Sequence, residues 1–479
     1  MVTGTSVFLG KIIDIVGPQG CFSSRETMAR YLVEDRGLFQ GSAAAVVRPA
    51  DTDQVSRVMA LCHEHGIHVV PQGGNTGTVG GAVSLSAQSI VLATERMDAV
   101  RFIDADNATI TVEAGCILAH VQDAARDAGF LFPLSLGGEG SCRIGGNLST
   151  NAGGINVLHY GNARELMLGL EVVLPDGRVW NGLRGLRKDN TGYALRHLFV
   201  GAEGTLGVIT AATLKLFPLP RERQTAFVAV RDPQAGIELL RSAREASGDA
   251  VTAFELLPRI GLDIGFRNLG GRDPLAGIHE WYVLIELSSG RPAGLRGAME
   301  DILQQAVEKG LVLDAALAES EAQRRELWRL REITAGGHQH QEGGLIKHDI
   351  SVPVSRIPEM IERGAAEVCA ELPGTRVIAF GHAGDGNLHF NLVQPIGHDA
   401  QAFFALREPM NRIVHDLVHS LGGSISAEHG IGLLKVDEMS RYKAPLELEL
   451  MHRIKRAIDP AGIMNPGKVL PSIQGVNTP

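Results

Sequence analysis

Three clusters of glycine constrain this chain more than any other feature. They are QGGNTGTVGG (Gln72–Gly81), SLGGEGSCRIGGNLSTNAGG (Ser135–Gly154) and GAEGTLG (Gly201–Gly207). Each follows a segment that reads as a β-strand. The chain has 58 glycines in 479 residues, and many sit in these clusters rather than being scattered as linkers. Glycine lets a backbone turn sharply or approach a ligand closely. Successive unhindered N–H groups can cradle phosphate oxygens. One cluster alone reads equally well as a tight turn. Three, with Asn and Thr interleaved, favour a large phosphate-bearing ligand. Standard nucleotide signatures fail. Gly138-Glu139-Gly140-Ser141-Cys142 is followed by Arg143 where a GxGxxG needs glycine. GIMNPGKV (Gly462–Val469) departs from a P-loop at Val469 and carries Pro466 inside it. The pattern therefore points to a dinucleotide held in a non-Rossmann way.

The elements around the first cluster are legible. Ala45–Val47 reads as a strand, followed by a helix over Thr52–His65 with Val55, Val58, Met59 and Cys62 on one face. Thr52 is placed to cap it, Gly66 ends it, and Ile67–Val70 is a strand. Strands follow at Ser89–Ala93, Val100–Ile103 and Thr109–Glu113. Leu170–Leu174 and Arg178–Trp180 form a hairpin about Pro175-Asp176-Gly177. A first domain is expected over 1–220, ending where prolines sit among charges. The region 221–425 alternates strands such as Thr225–Val230 and Trp281–Leu287 with helices such as Ile237–Ala246 and Leu295–Lys309. It reads as an α+β domain with helices against an antiparallel sheet. A C-terminal segment, 426–479, carries a helix over Leu446–Ile458.

Composition narrows the function classes. The formal charge is −9 with both signs interspersed, so no basic stripe suggests nucleic acid or an anionic membrane. The five cysteines are widely spaced without a CxxC, which fits a reducing compartment and argues against a zinc ribbon. No secretory signal pattern opens the chain. No run of about 18 apolar residues suggests a membrane span. A cytoplasmic protein is the expectation.

The second chemical feature is FGHAGDGNLHF (Phe380–Phe390), two strands joined at Asp385-Gly386, a hairpin signal. His382 and His389 could face one another across it. As a pair they read as structural or as ligands. Glu428 and His429, in SAEHGIG, add a carboxylate and a third imidazole. Two imidazoles plus one carboxylate are an ordinary set for a catalytic zinc or similar divalent ion. Arg329, Arg331 and Lys347 offer cations to a substrate carboxylate.

PQGGNTG (Pro71–Gly77), IGGNLSTNAGG (Ile144–Gly154), RKDNTGY (Arg187–Tyr193) and GAEGTLGVIT (Gly201–Thr210) resemble the flavin-binding motifs of the vanillyl-alcohol-oxidase/p-cresol-methylhydroxylase superfamily. With the histidine hairpin they resemble its FAD-linked D-2-hydroxy acid dehydrogenase branch, over roughly Gly41 to Leu470. The resemblance implies a two-part FAD-binding domain and an α+β substrate domain. It implies FAD contacts from Gln72, Gly73, Gly74, Asn75, Thr76 and Gly77. A second wall would be Ser141, Gly145, Asn147, Thr150 and Gly154, a third Gly207 and Ile209, with Asn465 returning from the C-terminus. Pro71–Gly81 contains no histidine, so FAD is expected to be dissociable.

The resemblance further implies His382, His389 and Glu428 as ligands of a divalent metal, Zn2+ or alternatively Mn2+. It implies His429 as catalytic base, and Arg331, Lys347 and Asn391 as substrate contacts. Thr334 matches a contacting threonine, one residue short of the family's spacing from Arg331. The implied reaction is hydride transfer from C2 of a D-2-hydroxy acid to flavin N5. D-2-hydroxyglutarate stands first among substrates, with D-malate and D-lactate as alternatives. No NAD motif appears, so an electron-transfer flavoprotein or a quinone is the expected acceptor, and a homodimer is left open. Two further readings remain: a metal-dependent hydrolase whose glycine clusters are mere turns, and an electron-transfer subunit without substrate chemistry.

Overall fold

The computed structural model describes residues 2–34, 36–335 and 337–472. The chain divides into two compact units. The first comprises Met1–Gly153, Asn162–Pro218 and His429–Pro479; the second comprises Gly154–Gly161 and Leu219–Glu428.

The first unit begins as its periodicity predicts. The helix Thr52–His65 buries Val55, Val58, Met59 and Cys62, and Gly66 ends it at φ 63°. Its cap differs from expectation. The Asp51 carboxylate accepts the Gln54 N–H at 2.8 Å, while the Thr52 hydroxyl donates to Glu171 at 2.6 Å. A carboxylate at this position satisfies an orphan N–H and favours the positive helix end. The flanking strands Ala45–Val47 and Val69–Gln72 both pair in parallel with Ile90–Ala93, which lies between them. A second, antiparallel sheet runs Val100–Asp104, Thr109–Glu113, Val208–Lys215, Met167–Val173, Val179–Gly182 in spatial order. Its last hairpin turns at Gly177, φ 88°, as Pro-Asp-Gly foretells. The C-terminal segment returns to this unit: Met464 bridges to Val69, and Ile463 and Met464 are fully buried in its core.

The second unit is built on an antiparallel sheet. Its spatial order is Val312–Leu317, Glu222–Val230, Trp281–Ser289, Val251–Pro258, Arg376–His382, Asn387–Val393, Leu345–Ile346, and Asp349–Ser351 also pairs with Asn387–Val393. Helices Arg259–Leu269 and Glu321–Ala335 cover one face through Phe227, Leu257, Leu262, Tyr282, Leu330 and Ile333. Two residue pairs alone join Val251–Pro258 to Arg376–His382: Glu255 opposite His382, and Leu256 opposite Gly381. That seam sets up the site.

Candidate active site

In the second unit the Phe380–Phe390 stretch is a hairpin, with Gly386 at φ 91° and Asp385 accepting the Asn387 N–H at 3.1 Å. The rings of His382 and His389 lie 6.0 Å apart at 71°. Glu428 joins them: His382, His389 and Glu428 each present one ligand atom, and these atoms lie within 4.8 Å of one another. His382 Nε2 is 3.9 Å from Glu428 Oε1. Asp349, opposite His389 in the strand register, accepts the Glu428 N–H at 2.9 Å and the Asn387 amide at 3.0 Å. It thereby anchors both the hairpin and the residue that completes the trio.

Electrostatics supports a cation here. Burial would push the Glu255 carboxyl up, but the charges of His382 and Arg331 overcome it and hold it at about 2. An ionised carboxylate only accepts hydrogen bonds. His382 Nδ1, 2.5 Å from Glu255 Oε1, therefore carries a proton. Burial would lower the imidazole, but the Glu255 carboxylate overcomes it and raises it. Nε2 lies 3.4 Å from Arg331 Nη2 and 3.9 Å from Glu428 Oε1. Burial raises the Glu428 carboxyl, and the neighbouring carboxylates Asp349 and Asp385 raise it further. Burial likewise lifts Asp385 to about 6. Carboxylates gathered around two imidazoles are the hard and borderline donors that a divalent ion satisfies. The residues fit a zinc-type metal.

The predicted substrate contacts divide. Arg331, on the helix Glu321–Ala335, is bonded into the cluster: its Nε donates to Glu255 Oε2 at 2.9 Å, and its Nη2 lies 3.4 Å from His382 Nε2. Lys347 is exposed, two residues before Asp349. Asn391 is buried and donates to Gln339 Oε1 at 2.8 Å. The fully buried Thr334 donates its hydroxyl to Leu330 O at 2.9 Å, and its methyl packs against Gly261. Its hydroxyl bond stays within its own helix, and its methyl packs that helix against Arg259–Leu269. Sequence reasoning missed Glu255, Asp349 and Asp385. The signal for Glu255 was a single carboxylate inside the apolar strand VTAFELLP.

In the first unit the three glycine clusters come together. A Cβ on Gly74 would stand 2.2 Å from Ser141 O, so the first cluster abuts the second with no room for a side chain. The buried Asn465 amide donates to Gly81 O at 3.0 Å and to Glu203 O at 2.6 Å, tying the first cluster to the third. Gly145 faces Ala114, and Gly207 faces Val172 and Val173 O, both at packing distance. Ile209 is buried in its strand. Gln72 holds the carbonyls of Tyr31 and Ala82, and Asn75, at φ 56°, holds Val33 O. Thr150 bonds Gly146 O within its turn. Ser141 bonds Gly138 O, Gly73 lies over Gly146, Thr76 is partly exposed, and Gly154, at φ 121°, opens the segment belonging to the second unit.

A Cβ at Gly77, Gly137, Gly140 or Gly146 meets no protein atom within 4 Å, so these glycines leave a cradle that a side chain would fill. The buried oxygens Asn147 Oδ1 and Asn465 Oδ1 lack a protein partner. Such groups are ordinarily satisfied. Backbone cradle and orphaned amide oxygens together fit FAD. His429 follows Glu428 directly and opens the C-terminal segment of this unit. The loop after it is pinned by the buried Glu203, whose oxygens accept the Ile431 N–H at 2.7 Å and the Gly432 N–H at 2.9 Å.

Comparison with known proteins agrees with this geometry. Residues 43–182 match an FAD binding domain, and residues 219–469 match the C-terminal domain of FAD linked oxidases. A probable mitochondrial D-2-hydroxyglutarate dehydrogenase of Oryza sativa subsp. indica is 37% identical over 460 residues, covering 95% of this chain and 80% of the rice protein. A D-2-hydroxyglutarate dehydrogenase of Xanthomonas citri pv. viticola is 36% identical over 426 residues, 89% of each chain. The structure of substrate-bound p-cresol methylhydroxylase superposes with a TM-score of 0.76 at 18% identity, covering 97% of this chain and 96% of that one. That likeness shows the fold.

Proposed function

The chain belongs to the FAD-linked oxidase family, and from that premise we propose that it oxidises D-2-hydroxyglutarate to 2-oxoglutarate with the help of a divalent metal. One observation carries the reading: the trio of buried His382 and half-buried His389 and Glu428, with the Arg331 guanidinium beside it. Metal donors and a carboxylate-binding cation in one place suit a substrate bearing a hydroxyl next to a carboxylate.

FAD, held by the three glycine clusters, would supply the two-electron sink for oxidation at C2. His382, His389 and Glu428 would hold a divalent metal, which would supply Lewis-acid polarisation of the hydroxyl. The chain's own residues do the rest. Arg331 and Lys347 bind carboxylate oxygen and orient the molecule, since a guanidinium fork matches carboxylate geometry. His429 accepts the hydroxyl proton, a task suited to an imidazole near neutral pH. Asp349 keeps Glu428 in place through its backbone N–H. FAD is held without a covalent bond, as expected from a Pro71–Gly81 loop without histidine. Electrons leave to an electron-transfer flavoprotein or a quinone. Among the described residues no helix is long and apolar enough to cross a membrane. A cytoplasmic location belongs to the same proposal.

The test is turnover of the metal-supplemented holoprotein with an artificial electron acceptor across D- and L-2-hydroxy acids. D-2-hydroxyglutarate should give the highest kcat/KM, above D-malate and D-lactate, with one 2-oxoglutarate formed per two electrons transferred. Turnover confined to L-acids, or absent, refutes the proposal.

A further inference from the structure

Glu255 has no part in the sequence motifs or in the chemistry above, yet it is the most deeply placed charge at the site. It is 1% exposed, in a strand whose residues are all buried. Burying a carboxylate is costly unless every lone pair is met. Here both oxygens are met by functional side chains: Oε1 by His382 Nδ1 at 2.5 Å, Oε2 by Arg331 Nε at 2.9 Å. The nearby buried Glu286 is a useful contrast. Its Oε2 takes Thr225, Arg324 and Trp328, framework residues of the same sheet and its covering helix.

The geometry points to Glu255 as a positioning residue that fixes the metal-ligating face of His382 and the carboxylate-binding fork of Arg331 with one side chain. This rests on the metal reading proposed above. An accepting oxygen at Nδ1 fixes the imidazole tautomer and leaves Nε2 as the ligating atom. An accepting oxygen at Arg331 Nε orients the guanidinium plane and leaves its terminal nitrogens toward the cluster, with Nη2 3.4 Å from His382 Nε2. The strand register sets this up, because Glu255 lies directly opposite His382 at the narrow seam of the sheet. Metal affinity and substrate affinity therefore share a common support.

Glu255→Gln separates this from a framework role. A glutamine has one acceptor and one donor group, so it can satisfy His382 or Arg331 but not both. The metal dissociation constant is measured on metal-stripped protein by competition with a chromophoric zinc chelator; KM for D-2-hydroxyglutarate is measured on reloaded enzyme. E255Q should raise the zinc Kd about 10–100-fold, the range for losing an outer partner of a ligating histidine, and should raise KM at least fivefold. E286Q, the framework control, should lower Tm and leave the zinc Kd within twofold of wild type. If E255Q does not fold, E255D is read instead. It keeps both acceptors but withdraws them by one methylene, and should raise the zinc Kd at least threefold. A folded Glu255 variant with wild-type zinc Kd and KM overturns the inference while leaving the metal reading intact. Wild-type protein that binds no zinc overturns both.

Discussion

Gly74→Ala probes the place where two glycine clusters meet. A Cβ there would lie 2.2 Å from Ser141 O and 3.0 Å from Cys142 Cα, whereas real Cβ atoms essentially never come within 3.0 Å. Both neighbours are backbone, so no side chain can swing aside. The clusters must part by at least about 0.8 Å. Overpacking of this kind costs about 1–3 kcal/mol. Because the gap opens between two walls of the cofactor cradle, the cost falls on FAD binding, a loss of roughly 5–150-fold in affinity. The assay strips FAD, then titrates it back while following flavin fluorescence, with thermal unfolding of the apoprotein recorded separately. Gly77→Ala and Gly146→Ala are the controls, since their Cβ atoms meet no protein atom within 4 Å. They should leave the apoprotein Tm unchanged while weakening FAD. A G74A protein whose FAD Kd stays within twofold of wild type would refute the cradle argument.

Three further outcomes are expected. His382→Ala and Glu428→Gln should each weaken zinc binding at least about 100-fold while leaving FAD content at the wild-type level, as measured by metal analysis and flavin absorbance. Glu203→Gln places an amide donor against one of the N–H groups of Ile431 and Gly432. It should destabilise the protein by about 1–3 kcal/mol in urea unfolding and lower kcat by disordering the loop after His429. Asp385 carries the pH dependence: burial lifts its carboxyl from 3.8 to about 6. Between those values the folded protein keeps a proton that the unfolded chain has released, so stability falls as pH rises through that window. In metal-stripped protein the loss should be ~2–3 kcal/mol between pH 4 and 7. Asp385→Asn should remove this contribution and flatten the profile, leaving the part that the raised Glu428 carboxyl adds in the same direction; an unchanged pH profile would count against the burial argument.

Local pattern was legible where local physics decides. The 3.6-residue spacing of Val55, Val58, Met59 and Cys62, the Pro-Asp-Gly turn at 175–177 and the Asp385-Gly386 hairpin all stand in the structure. The cap at Asp51 was misassigned by one residue because Thr52 is an equally good capping type; its hydroxyl is engaged by Glu171, 119 residues away. Distance in sequence also hid Glu255, whose partner His382 lies 127 residues on and meets it only through the register of non-consecutive strands. The bonds the motif residues make within the protein were not legible in the motifs. Gln72 and Thr334 bond to backbone carbonyls, Asn391 bonds to Gln339, and these contacts shape walls and helices. The hydrolase reading required the glycine clusters to be mere turns; the FAD binding domain match over 43–182 removes it.

Anaerobic mixing of the zinc-loaded holoprotein with D-2-hydroxyglutarate tests the central claim most directly. The flavin absorbance near 450 nm should bleach in a single turnover, with one equivalent of 2-oxoglutarate formed per flavin, while L-2-hydroxyglutarate leaves the spectrum unchanged. A flavin that stays oxidised with every D-2-hydroxy acid, in protein shown to contain both FAD and metal, would contradict it.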